Sequence, residues 1–161
     1  MRLNIKIFVL LTAGIVLASC TSSDTLKFDS ANIKVGQQIG EMIVMSVEPP
    51  ENAYPEWTPK NDEVAVYFKG QITVSGNYDY VGTNEIRLYP DKESLKKLPK
   101  LDFGKDQSYF VLADTEDNRN TFAPVGSKGI ATLKIDNYSI WSVKNLGITN
   151  RADVISVDYK K

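Results

Sequence analysis

The stretch from residue 70 to residue 82, "GQITVSGNYDYVG", decides the fold class. Ile72, Val74, Tyr78 and Tyr80 fall on one face of an extended chain, with Gly76 in register among them. Gln71, Thr73, Ser75, Asn77 and Asp79 fall on the other. Successive side chains of a strand point to opposite faces, so this alternation marks a strand buried on one side. Gly76 at mid-strand predicts a bulge, a bend or a close approach of neighbouring backbone.

The same signal recurs on both sides of this stretch. "EMIVMSVE" (41–48) and "EVAVYFK" (63–69) read as strands, the second pairing with 71–81 as a hairpin through Gly70. "EIRLY" (85–89), "SYFVLA" (108–113), "IATLKID" (130–136), "YSIWSV" (138–143) and "DVISVDY" (153–159) complete about eight strands. Asp136 and Asn137 read as a turn between two of them. No long stretch has helical period. One short connector helix is expected near 91–98, where Asp91 caps the following N–H groups, Leu95 and Leu98 share a face and Pro99 ends the run. Many short strands and one connector predict an all-β domain over 33–161, an antiparallel β-sandwich with a small barrel as the alternative.

The N-terminus carries a different pattern. Arg2 and Lys6 precede an uncharged run, Ile7 to Leu17. That run is shorter than the roughly 20 residues a membrane-spanning helix needs and matches the apolar region of an export signal. Small residues Ala18 and Ser19 then precede Cys20, the sole cysteine. Leu17-Ala18-Ser19-Cys20 resembles the lipobox of bacterial lipoproteins. The resemblance covers the first twenty residues and implies cleavage before Cys20 and acylation of its thiol and new amino group. Residues 1–19 are then a discarded signal peptide, and 20–32, polar and small, a flexible spacer with Phe28 at the domain edge. Two or more acyl chains anchor a protein stably, so the expected location is extracytoplasmic, on the cell membrane or an outer membrane.

Composition narrows the chemistry. The chain of 161 residues has 19 Lys and Arg against 20 Asp and Glu. Without Arg2 and Lys6 the mature part carries 17 cations against 20 acids, which argues against a nucleic-acid partner. There is no histidine. Ser-His-Asp and Cys-His catalysis and imidazole metal sites are thereby excluded. With Cys20 lipidated, no disulfide or thiol chemistry remains. No metal and no cofactor is expected.

Candidate sites are few. "PPENAYPEWTP" (49–59) holds four of the seven prolines, so it is stiff, and it presents Tyr54 and Trp57 as candidate ligand-binding aromatics for a sugar ring or a protein partner. "DTEDNRN" (114–120) offers Asp114, Glu116 and Asp117 as oxygen ligands. Arg119 stands where a calcium loop needs glycine and Val125 where it needs a bidentate acid, so the run reads as a solvated acidic loop. Paired carboxylates, Asp79, Asp114 and Glu116 among them, would suffice for glycoside hydrolysis, but sequence shows no pairing. "GSKG" (126–129) lacks the P-loop pattern and reads as a turn. Asn137-Tyr138-Ser139 is a formal glycosylation triplet without meaning in a bacterial lipoprotein. The expected function is a non-enzymatic binding or interaction module held at the envelope, not an enzyme, with a protein or glycan partner. The alternatives are a carboxylate-dependent hydrolase of envelope polysaccharide and a structural subunit of an envelope complex.

Overall fold

The computed structural model describes residues 26–49, 63–82, 84–103, 108–143 and 147–159. Cys20, Tyr54 and Trp57 lie outside these residues. Two short strands, β1 (Lys27–Phe28) and β2 (Gln38–Ile39), precede β3 (Met42–Glu48) and β4 (Val64–Lys69). Next come β5 (Ile72–Val81) and β6 (Glu85–Pro90), paired antiparallel. Helix α1 (Lys92–Leu95) and β7 (Lys100–Leu101) lead to β8 (Phe110–Leu112). Helix α2 (Glu116–Phe122) separates β8 from the two longest strands, β9 (Lys128–Val143) and β10 (Gly147–Tyr159).

The fold is mostly β, as the alternation predicts, but the sandwich is corrected to a barrel. Strands β9, β5, β6, β8 and β10 are hydrogen-bonded in that order, and β10 returns to β9. The ring is antiparallel except at one seam, where β10 runs parallel to β8. A sheet whose first and last strands meet encloses its own inner face and needs no second sheet to cover it.

Strand β9 makes this geometry possible. The two strands expected at 130–136 and 138–143 are one strand of 16 residues. Its first half pairs with β5 (Ile72–Ile135 through Asp79–Lys128) and its second half with β4 (Val64–Ser142 through Tyr67–Ser139). The expected hairpin between 63–69 and 71–81 is therefore absent. β4 and β5 lie end to end along one flank of β9, and Gly70 is a corner between them. β3 and then β2 extend the sheet beyond β4.

The corner is built by specific groups. Asn137 has a positive φ of 48°, which bends β9 without ending it. Opposite it, Gly70 has φ 137°, and a Cβ there would lie 2.8 Å from the Glu41 carbonyl oxygen. The Asp136 carboxylate accepts from Gly70 N at 3.0 Å and from Asn137 N at 2.8 Å. Asp136 and Asn137 thus shape a bend where their residue types suggested a turn, and the chain continues past it as the same strand.

Past the bend, Tyr138 turns inward and is buried between Phe110 of the barrel and Phe68 of β4, with ring centroids 6.1 and 6.2 Å away. Phe28 packs edge-on against Phe68 at 5.6 Å, so β1, paired with β7, already belongs to the fold. The segment read as spacer is ordered structure by Leu26. Burial of each such ring is worth about 1.5–3 kcal/mol. In β5, Ile72, Val74, Gly76 and Tyr80 are buried as the alternation predicts. Gly76 marks a close approach: a Cβ there would overlap the Tyr89 carbonyl oxygen and lie 2.8 Å from Pro90 Cα.

Candidate functional site

Pairing register places side chains from three strands on the barrel's outer face. Asn77 of β5 stands between Tyr89 of β6 and Ile130 of β9; Asp79 stands between Arg87 and Lys128. Residues directly opposite share a face, so these form two cross-strand rows, one of Tyr, Asn and Ile and one of Arg, Asp and Lys. The first row and the Asp79–Lys128 end of the second line an open groove of about 420 Å³. That volume falls within the range of small-ligand sites.

The middle row of the groove, Tyr78 and Gly129, turns its side-chain positions to the other face: the Tyr78 ring packs against the core, held edge-on against Phe122 of α2 at 5.0 Å. Gly129 leaves the space that ring occupies: a Cβ there would lie 2.8 Å from Tyr78 Cε1. Beyond the rim, Tyr89 meets Tyr109 with centroids 5.4 Å apart and planes inclined at 48°. The Arg87 guanidinium lies 4.7 Å above the Tyr109 ring. Tyr89 and Tyr109 therefore make a two-ring platform continuous with the groove wall.

Charge in the site is balanced. Lys128 Nζ donates to Asp79 Oδ2 at 3.0 Å, and Arg87 Nε donates to Glu85 Oε1 at 2.5 Å. The Glu85 bond first, and the Tyr89 hydroxyl next, hold the Arg87 guanidinium still further above its ordinary pKa. The Asp79 side chain is only 22% exposed, whereas Lys128 is 72% exposed, so the carboxylate is fixed and the ammonium reaches over it into solvent.

The residues singled out from sequence fare differently. Cys20, Tyr54 and Trp57 are outside the described residues. The "DTEDNRN" run is corrected from loop to helix. Thr115 caps α2 by accepting from Asn118 N at 3.1 Å, and Asp114 is ion-paired with Arg119. Among the described residues no three His, Cys, Asp or Glu side chains gather as a metal site. "GSKG" is a turn, with Gly126 at φ 91° and Ser127 N donating to Pro124 O at 3.0 Å. It also delivers Lys128 to the groove, a role its motif did not suggest. Tyr89 and Tyr109 escaped the sequence reading too. A signal existed in "EIRLY": alternation puts Glu85, Arg87 and Tyr89 opposite buried Ile86 and Leu88, and an aromatic on the outer side of such a strand asks for a reason.

Among the described residues no helix is long and apolar enough to cross a membrane. Comparison with known proteins finds no matching family model, no matching curated protein and no matching solved structure.

Proposed function

We propose that this chain is a lipid-anchored, extracytoplasmic binding module of a bacterial envelope, non-enzymatic, with the groove over β5, β6 and β9 as its ligand face. The observation that carries the binding reading is the groove itself. Ring contacts and ion pairs preorganise it on three strands paired on both sides. The lipobox resemblance at Leu17–Cys20 supplies the anchor. A two-carboxylate hydrolase needs two acids facing across a cleft. Among the residues lining the groove, Asp79 is the one carboxylate, and it is bonded to Lys128. A closed five-stranded Greek-key barrel is also the architecture of the OB type, whose outer face and loops bind oligonucleotides and oligosaccharides. That parallel is one of fold alone.

A second reading, a structural subunit of an envelope complex, is favoured by one observation. Ile43 and Met45 on β3 and the nearby Val35 are exposed, at 46%, 51% and 67%. Contiguous exposed apolar side chains mark protein contacts.

One experiment addresses both readings. A photoreactive residue is placed in the full chain, in cells, at Ile130 in the groove, at Ile43, or at the equally exposed Ile155 on β10. The binding module predicts a discrete adduct from position 130 and none from 155. A discrete protein adduct from 43 alone identifies the subunit reading, and equal labelling at all three removes both. For the anchor, Cys20→Ala abolishes metabolic labelling with palmitate; label that persists removes that part of the proposal.

A further inference from the structure

The chemical class of the ligand follows from how the groove handles charge and edges, given the binding-module reading above. An anionic chain, whether nucleic acid or sulfated polymer, is held by cations left free to meet it. Here both cations of the two groove rows are already committed, Lys128 to Asp79 and Arg87 to Glu85. An extended peptide adds to a sheet through an unpaired edge. At the groove, over Asn77–Asp79, β5 has no such edge, because β6 and β9 occupy both of its sides. What remains on offer is two tilted tyrosine rings, the amide of Asn77 and a fixed carboxylate–ammonium pair.

These groups match one chemistry. A pyranose with equatorial hydroxyls has a flat C–H face and a rim of groups that both donate and accept. Aromatic faces take the first. A carboxylate beside an ammonium, and an amide with a donor and an acceptor, take the second. We propose that the groove binds an uncharged chain of equatorially substituted pyranoses. Tyr89 and Tyr109 stack on its C–H faces, and Asn77, Asp79 and Lys128 bond its hydroxyls. Tyr109 lies outside the groove lining but against Tyr89, so a chain of several rings runs from the groove over the rim onto it.

The test uses the full chain in a zwitterionic, sugar-free detergent, titrated by calorimetry. The probes are cellohexaose and chitohexaose, with a heparin hexasaccharide and oligothymidylate as anionic controls. At least one uncharged hexasaccharide binds saturably, with an affinity that changes less than about twofold between roughly 50 and 500 mM salt, since no counterions are released. Tyr89→Ala and Tyr109→Ala each weaken it about tenfold, the scale of one lost stacking contact, while Tyr89→Phe retains it. Circular dichroism and melting of each variant separate lost stacking from lost folding, and the phenylalanine variant keeps the test valid if an alanine variant unfolds. Asp79→Asn, which frees Lys128, weakens the uncharged chain and gives the anionic probes a salt-sensitive affinity they lack with the native protein. Failure of both uncharged probes overturns the inference. So does tight, salt-sensitive binding of heparin or oligothymidylate to the native protein. Either result leaves the binding-module reading standing if the crosslink from position 130 is still discrete, so the two can fail separately.

Discussion

Asp136 is the residue on which the bend in β9 depends, and its chemistry gives a pH signature. Gly70 N–H first, and Asn137 N–H after it, hydrogen-bond the charged carboxylate and hold its pKa below the ordinary carboxylate value, against a smaller opposing effect of burial. Stability linked to a depressed carboxylate is complete above its unfolded pKa of about 3.9 and is lost as pH falls through the folded value. The contribution is therefore whole at neutral pH and fades in the acid range below about pH 5. Asp136→Asn should lower the melting temperature at pH 7 and make melting less sensitive to acid than in the native chain. A variant whose acid limb stays parallel to that of the native protein would show that other groups drive acid unfolding. Gly129 is a second test at this scale. Its φ is ordinary, so a side chain is refused by the Tyr78 ring and not by the backbone. Gly129→Ala should displace that ring from Phe122 and cost about 1–3 kcal/mol in denaturant unfolding through overpacking. A neutral substitution would mean that the Tyr78 ring moves aside without loss of packing.

At the scale of elements, the parts set by local chemistry were legible and those set by pairing were not. The half-buried face of β5 and the cap of α1 follow from side chains within a few residues. Asp91 accepts from Ser94 N at 2.8 Å, and that bond lowers its pKa as the largest cause. The helix it starts also closes the open end of the β5–β6 pair, since Ser94 Oγ accepts from Ser75 N at 2.7 Å and Asp91 N donates to Ser75 O at 2.8 Å. Asp91→Ala should cost about 1 kcal/mol, a typical cap loss, measured by urea unfolding, while Asp91→Asn, another good cap, should cost less. Equal losses would point to charge and not capping. By contrast, α2 was hidden because its cap, Thr115, sits inside an acidic run that resembles a loop, and its inward face rests mainly on Asn118 and Phe122. The unity of β9 was hidden for a related reason. Asp-Asn is turn chemistry wherever it occurs, and only the flank shared with β4 and β5 makes it a bend.

At the scale of the whole molecule, closure depends on distant pairings that no local pattern reports. A sandwich and a barrel ask the same alternation of each strand. They differ in whether the sheet closes into a ring, which here depends on the pairing of β8 with β10 between residues some forty apart, Val111–Arg151 and Leu112–Ala152. The candidate site was opaque for the same reason: Tyr89, Asn77 and Ile130 become neighbours only through register. The ring is also uneven. β5 is joined to β9 over Ile72–Asp79 and to β6 over Gly76–Val81, whereas β8 is held by two residue pairs on each side, to β6 and to β10, the second extended by Ala113 N donating to Ala152 O at 2.9 Å. Around a five-strand ring the β8–β10 seam lies opposite β5, and so opposite the groove. Local opening follows the least-supported contacts, so the barrel should breathe around β8 while the β5–β9 and β5–β6 pairings of the groove stay shut. Amide hydrogen exchange tests this directly. The Ala113 amide should exchange at least about tenfold faster than those of Val74 and Leu133 on the groove side, and saturating the groove with ligand should leave that ratio nearly unchanged. If the β5 amides open first, the groove is a mobile face and not a rigid one, and preorganised binding on this side of the barrel loses its physical basis.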